Sequence, residues 1–105
     1  MPLSSEQRRQ YRAIAHSLKP VIIIGEKGWS EGLQLEIERA LDDHELIKVK
    51  LASNDRETRA ELLDILCTHT GAEKVQTIGK IAVVVRRARK PNPKLSNLMR
   101  GLAAP

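Results

Sequence analysis

The chain has 105 residues, of which 41% are hydrophobic, and 18 Lys and Arg against 13 Asp and Glu give it a formal net charge of +5. This length predicts one domain with one modest core, and no run approaches the roughly 18 apolar residues that a membrane span needs. One tyrosine, one tryptophan and no phenylalanine exclude the sheet of stacking aromatic side chains that an RNA-recognition motif presents.

The start of the chain and its cysteine content bear on the cellular compartment. Residues 4–12 are strongly polar, where a secretory signal would have an apolar core. Cys67 is the one cysteine, so the chain cannot form an internal disulfide, and this fits a reducing compartment. We therefore expect a cytoplasmic protein.

The positive charge is concentrated at one end of the chain. Residues 1–85 contain twelve basic and thirteen acidic residues, whereas residues 86–105 contain six basic and no acidic ones. The basic residues of this last segment are Arg86, Arg87, Arg89, Lys90, Lys94 and Arg100. Such an asymmetry favours a polyanionic partner, with a merely solubilising tail as the alternative.

A first helix is predicted over about residues 4–17. Ser4 and Gln7 have the spacing of a capping box, and Pro20 blocks continuation of the helix. Helical spacing places Gln7, Tyr11, Ile14, Ala15 and Leu18 on one stripe. The basic residues off that stripe are Arg8, Arg9, Arg12 and His16, followed by Lys19.

The next segment combines a strand, a glycine-framed loop and a helix. Residues 21–24 are apolar and β-branched, which predicts a buried strand. Gly25-Glu26-Lys27-Gly28 follows, and residues without a Cβ let the backbone come close to a bulky ligand. Ser30 is the expected N-cap of a helix over about residues 31–43, whose free N–H groups suit an anion. The exposed side of this helix is acidic: Glu31, Glu36, Glu38, Asp42 and Asp43.

Residues 46–51 alternate as a strand. Ile47, Val49 and Leu51 face one side of the sheet, and Lys48 and Lys50 face the other.

The remaining elements follow from capping and turn signals. Asn54 is the expected N-cap of a third helix that ends at Gly71. Strands are predicted over residues 75–78 and 81–87 around a turn at Gly79. Later prolines and small polar residues predict an unstructured basic tail. We therefore expect a domain over residues 1–87 and a disordered tail over residues 88–105.

The predicted fold is a single α-β-α-β-α-β-β domain of the α/β class with a four-stranded mixed sheet. Right-handed crossovers place the second and third helices on the same face of the sheet. Because the first strand is apolar throughout, we expect the first helix to cover its other face. Lys48 and Lys50 would then project from a part of that face left open.

Several short stretches, in this order, resemble one family. They are residues 15–21, 25–28, 31–32, 44–50, 55–58, 70–72 and 78–80. At these spacings the chain resembles the CRM domain family (chloroplast RNA splicing and ribosome maturation), in particular its small bacterial YhbY-like members, over residues 4–87. Two residues depart from the family pattern: Glu26 adds a negative charge to the loop, and Trp29 replaces a smaller aliphatic residue.

The resemblance implies an α/β domain similar to the C-terminal domain of bacterial translation initiation factor three. It also implies RNA binding through a surface that includes the Gly25–Gly28 loop. For the stand-alone bacterial members it implies association with precursors of the large ribosomal subunit.

Candidate RNA contacts follow from charge and from this resemblance. Gly25, Glu26, Lys27 and Gly28 would clamp a phosphate through loop N–H groups and the lysine charge, unless the loop is a plain strand-to-helix turn. Trp29 could stack on a base or pack on the core. The further candidates are Arg8, Arg9, Arg12, Lys19, Lys48, Lys50, Arg86, Arg87, Arg89 and Lys90, for which a solvated surface is the alternative.

No pattern in the sequence predicts catalysis, a metal or another cofactor. Cys67 lies on an apolar helix stripe, and His69 points well around the helix from it. His16, His44 and His69 lack the ligand spacing of a zinc site. The Gly25–Gly28 loop also lacks the spacing of a P-loop.

We therefore expect a non-enzymatic protein that binds ribosomal RNA in precursors of the large subunit and assists assembly. Ribosomal proteins are potential further partners, and neither a membrane nor a small-molecule substrate is expected. The alternatives are a general RNA chaperone or small-RNA adaptor, and a protein-interaction module that uses the acidic face of the second helix.

Overall fold

The computed structural model describes residues 2–103, and within them the chain order is the predicted one with a further helix at the end. The elements are α1 (Ser5–Ala15), β1 (Pro20–Ile24), α2 (Glu31–His44), β2 (Leu46–Leu51), α3 (Arg56–Thr70), β3 (Glu73–Ile78), β4 (Ile81–Val85) and α4 (Asn97–Ala103). No helix in this part of the chain is long and apolar enough to cross a membrane.

The described strands form a four-stranded mixed sheet in the order β1-β2-β4-β3. β1 and β2 are parallel, and the other neighbouring pairs are antiparallel. α2 and α3 cover one face, where Ile37 and Leu66 pack against Ile24, Val49 and Val84 of the sheet. The α/β class, the mixed sheet and the shared face of these two helices are thus confirmed.

α1 lies on the opposite face, but the prediction that it covers β1 is wrong. Tyr11 of α1 packs in a second core with Leu46, Val75 and Val83 of β2, β3 and β4. The helix is drawn to β3 because the Leu3 N–H donates to the Glu73 carboxylate and Arg8 donates to the Lys74 carbonyl. One side of β1 therefore remains open, with Val21 50% and Ile23 63% exposed.

Local capping signals place most helix boundaries. Ser4 and Gln7 form the predicted capping box of α1, and the Ser30 hydroxyl accepts the Leu33 N–H at the start of α2. The N-cap of α3 is Asp55, not Asn54. Asp55 takes this role because one of its carboxylate oxygens accepts both the N–H and the hydroxyl of Thr58.

The segment after β4 differs from the expected disordered tail. Residues 97–103 form α4, Ser96 is fully buried, and Leu98 packs in the same core as Tyr11. α4 also lies so close to α1 that a Cβ on Gly101 would stand 2.7 Å from Ile14. Residues 88–96 are held against the domain because the buried Glu45 carboxylate accepts hydrogen bonds from Ala88 and Ser96, a long-range contact that composition does not reveal.

Candidate nucleic-acid interface

The Gly25–Gly28 loop is an exposed turn directly after β1. The Gly28 N–H donates to the Gly25 carbonyl over 3.1 Å, and Gly28 has a φ of 71°. That positive φ favours glycine because a Cβ strains it. Gly25 has no such conformation, and a Cβ placed there would meet nothing within 4 Å. Gly28 is therefore needed by the turn itself, whereas Gly25 leaves an open surface beside the backbone.

The loop leads into the N-terminus of α2. Ser30 satisfies the Leu33 N–H, and the first N–H groups of any helix have no carbonyl partner within that helix. These groups and the helix dipole attract an anion, but Glu31 places an exposed negative charge in the same turn. The exposed Lys27 places a positive charge at the loop, which opposes the negative charge of Glu31.

The open part of the α1 side of the sheet begins next to this loop. One row of cross-strand pairs contains Ile23, Lys50, Ile81 and Ile78, in the order of the strands. Ile23 lies two residues before Gly25, so this row lies at the end of the sheet that carries the loop. Lys50 is exposed there, as the alternation of β2 predicts.

A groove of about 500 Å³ lies between α1 and this face, and we call it the α1 groove. α1 contributes Arg9, Arg12 and His16, and β2 contributes Lys48. Within the described residues, no acidic side chain lines the groove, although Glu6 pairs with Arg9 over 3.0 Å at the surface. The groove therefore places several cationic side chains, which can bind an anion, beside an apolar floor.

The floor of the α1 groove is formed by the sheet. Ile81 and Val83 of β4 and Ile78 of β3 line it, together with the carboxamide-bearing Gln76. Val83 is buried, Ile81 and Gln76 are half-buried, and Ile78 is 65% exposed.

One basic residue extends this face beyond those proposed from the sequence, and a second lies in a turn at the loop end of the sheet. Lys48 also lines a smaller cavity of about 230 Å³, where it is joined by Lys19 and by Arg100 of α4. At the other end, the Leu51 N–H donates to the Lys80 carbonyl and so holds the Gly79-Lys80 turn beside the end of β2. Arg100 had no sequence signal beyond its charge, whereas the glycine-lysine pair at residues 79–80 was part of the family resemblance.

Arg86 belongs to the other side of the molecule. Its guanidinium donates to the Glu38 carboxylate at 2.8 Å, to Asp42 at 3.0 Å and to the Thr70 carbonyl at 2.7 Å. The side chain is only 20% exposed. Arg86 therefore joins α2 to the end of α3, and its side chain does not line the α1 groove.

The other basic residues at the end of β4 also lie away from the loop. Val85 pairs with Leu46 at the start of β2, which is the end of the sheet opposite the Gly25–Gly28 loop. Arg87 donates to the Tyr11 hydroxyl there, and this bond raises the pKa of the Arg87 guanidinium. Arg89 and Lys90 follow as exposed side chains.

Trp29 packs on the α2–α3 side. Its indole is half-buried against the core of that face, and its ring centroid is 5.4 Å from that of His69 at an interplanar angle of 48°. The structure thus gives the indole a packing role between the loop and α3, and it separates Trp29 from the α1 groove.

The cysteine and the metal-ligating residue types of the described chain lie apart from one another. Cys67 packs against the α2–α3 core, and burial raises the pKa of its thiol. No three His, Cys, Asp or Glu side chains in that part of the chain lie together as a metal site would require.

The acidic surface of α2 is partly neutralised, since Glu38 and Asp42 both pair with Arg86.

These features define a small α/β domain with a basic face on the α1 side and an acidic surface on α2. The chain belongs to the CRS1/YhbY (CRM) domain family, whose model matches residues 3–86.

Relatives of this chain carry names that refer to RNA. It is 53% identical to a probable RNA-binding protein of Pseudomonas aeruginosa, over 95% of this chain and 96% of that protein. It is 46% identical to an RNA-binding protein of Haemophilus influenzae, over 80% and 85% of the two chains. A Staphylococcus aureus protein solved in solution and described as a proposed RNA-binding protein superposes with a TM-score of 0.74 at 34% identity, over 85% and 93% of the two chains.

Proposed function

We propose that this protein binds RNA, and that its RNA is ribosomal RNA in precursors of the large subunit, whose assembly it assists. The observation that carries RNA binding is the α1 groove, where Arg12 and Lys48 flank an apolar floor with no acidic residue among the described lining. Most protein contacts to nucleic acids go to phosphate and sugar, and a cationic surface supplies these contacts. The relatives that are named as RNA-binding proteins support the same partner.

The proposed contact surface runs from the loop across the open sheet. Lys27 and the loop N–H groups would bind one phosphate, and the bare surface at Gly25 would allow the RNA backbone to come close. Lys50 and Lys48 would bind further phosphates along β2, and Arg12 would do so from α1. This contact fixes where the RNA lies without reading its sequence.

The ribosomal assignment is supported by the family resemblance of the chain. A protein that holds the RNA backbone in this way could keep one segment of ribosomal RNA in a productive fold until later proteins bind. Such a role requires neither a cofactor nor catalysis.

The experiment is sucrose-gradient sedimentation of the tagged protein from growing cells at low salt, with the RNA of each fraction probed for unprocessed ends. We expect the protein with large-subunit precursors, and its release as salt rises, because phosphate contacts are screened. Protein that stays at the top of the gradient with small RNAs would contradict the assembly role and favour an adaptor.

Ribonuclease treatment separates RNA binding from the protein-interaction alternative. An association that runs through RNA is lost on digestion, whereas docking through the acidic surface of α2 survives it. A matched pair of variants adds a second criterion: Lys48→Gln with Lys50→Gln should release the protein, and Glu36→Gln with Asp43→Asn should not.

A further inference from the structure

We propose that the α1 groove takes one unpaired base of single-stranded RNA, with the neighbouring phosphates on Arg12, Lys48 and Lys50. This inference rests on the proposed RNA binding and adds a site for the base itself. The ligand of the protein is then an unpaired stretch of RNA.

The floor of the groove has the chemistry of a base-binding surface. Ile78 is 65% exposed, and it lies beside Ile81 and Val83 on the same face of the sheet. Large apolar side chains left open beside charged ones mark binding surfaces. The two faces of a nucleobase are apolar, so a base laid on these side chains would remove apolar surface from water.

The walls of the groove suit the rest of a nucleotide. Arg12 and Lys48 carry charges that phosphates require, and no acidic residue of the described chain lines the groove to oppose them. The Gln76 carboxamide has both donors and an acceptor, as the edge of a base does. This pairing of an apolar floor with cationic walls favours a nucleotide over an uncharged ligand.

The size and shape of the groove favour one base over a duplex. Its volume of about 500 Å³ lies within the range of about 300–1,000 Å³ in which proteins bind small ligands. A base inside a duplex is stacked and paired, so its face cannot reach the floor, whereas unpaired bases can be splayed out. The RNA must therefore be single-stranded where it crosses α1.

The test compares two labelled single-stranded RNAs of equal charge by fluorescence anisotropy, each of about 12 nucleotides. One is oligouridine, and the other has the same sugar-phosphate backbone without bases. We expect the full-length protein to bind oligouridine about tenfold more tightly, since a base laid on the floor of the groove removes apolar surface from water.

The chain provides a matched pair of isoleucines for this test. Ile78 lines the groove, and Ile23 lies on the same face of the sheet but outside the groove, with almost the same exposure of 63%. We expect Ile78→Ser to weaken oligouridine binding about fivefold and to leave binding of the abasic RNA unchanged. Because Ile23 lies outside the groove, Ile23→Ser should change the two affinities by the same factor, and Lys48→Gln should weaken both equally.

The outcomes separate this inference from the proposed function. Equal binding of the two RNAs, or equal effects of Ile78→Ser and Ile23→Ser, would overturn the base site and leave RNA binding intact. Binding of an RNA duplex of the same length more tightly than oligouridine would also overturn the base site. Failure to bind either RNA would overturn RNA binding itself.

As a second measurement, 4-thiouridine in the same oligonucleotide should crosslink to β3 or β4, and crosslinks confined to Trp29 would contradict the proposal.

Discussion

Ser96 donates its hydroxyl to Oε1 of Glu45 over 2.6 Å, although 51 residues separate them. Both residues are buried, and Oε2 of the same carboxylate accepts the Ala88 N–H at 2.7 Å. Glu45 ends α2 with a φ of 61°, a conformation that non-glycine residues rarely adopt. These bonds offset that strain and hold the segment after β4 against the sheet.

The first prediction concerns this pair. Ser96→Ala should destabilise the fold by about 1–3 kcal/mol, because it leaves a buried carboxylate oxygen without its donor. Urea unfolding of the full chain measures the change. Ser17→Ala is the matched control, since the Ser17 hydroxyl is exposed and lies 3.4 Å from the Ile14 carbonyl. Equal effects of the two substitutions would contradict a structural role for the Ser96 bond.

The second prediction separates two basic residues of the last segment. Arg86→Met should cost about 2–3 kcal/mol of stability, because a largely buried guanidinium loses charge-assisted bonds to Glu38, Asp42 and Thr70. Its effect on RNA affinity should be small, since Arg86 faces α2 and α3. Arg89→Met, at an exposed position, should change stability by less than about 0.5 kcal/mol. Thermal unfolding and RNA titration of both variants give the two readouts, and a stability loss shared by both would refute this assignment.

The third prediction tests the loop. Gly25→Ala should leave folding unchanged, because its Cβ meets no atom within 4 Å. It should weaken RNA binding, because the added methyl group lies where the RNA backbone is proposed to come close. Thr68→Ala, at an exposed position on α3 away from the loop, is the control and should leave RNA affinity unchanged. Gly28→Asp should weaken RNA binding at least about tenfold, because it adds bulk and negative charge to the loop and strains a residue with a φ of 71°. Unchanged affinity of Gly28→Asp would exclude the loop from the interface.

Local signals and distant contacts explain which parts of this fold were predictable. Ser4, Ser30 and Gly71 mark helix ends through bonds within a few residues, so the sequence locates those helices. The alternation of β2 likewise placed Lys48 and Lys50 on the open face. These are properties of neighbouring residues, which a linear pattern records.

The missed features depend on residues far apart in the chain. α4 is held by the Glu45 carboxylate, and Arg86 is engaged by Glu38, which lies 48 residues earlier. In the sequence, both Arg86 and Arg100 look like charges of a loose basic tail. Only the packed structure separates them, placing Arg86 against α2 and Arg100 beside Lys19 and Lys48.

The fourth prediction concerns pH. The hydrogen bond from the Thr58 hydroxyl lowers the pKa of Asp55 below its ordinary value of 3.8. Because the pKa is lower in the folded state, this cap stabilises the protein above that ordinary value and loses its effect as pH falls through the lowered one. Asp55→Asn should therefore lower the melting temperature more near pH 7 than near pH 3. Melting curves at both pH values check this, and an equal deficit at both would count against a contribution from the charge.

The most direct test of RNA binding through the α1 side of the sheet is its salt dependence in the wild-type protein and two single variants. If about five cations meet phosphates of single-stranded RNA, log K should fall with log salt at a slope near −3.5, about −0.7 per contact. Lys48→Gln should bring the slope to about −2.8, whereas Arg39→Gln, at an exposed position on α2, should leave it unchanged. A slope near zero, or the same change in both variants, would contradict RNA binding through the α1 side of the sheet.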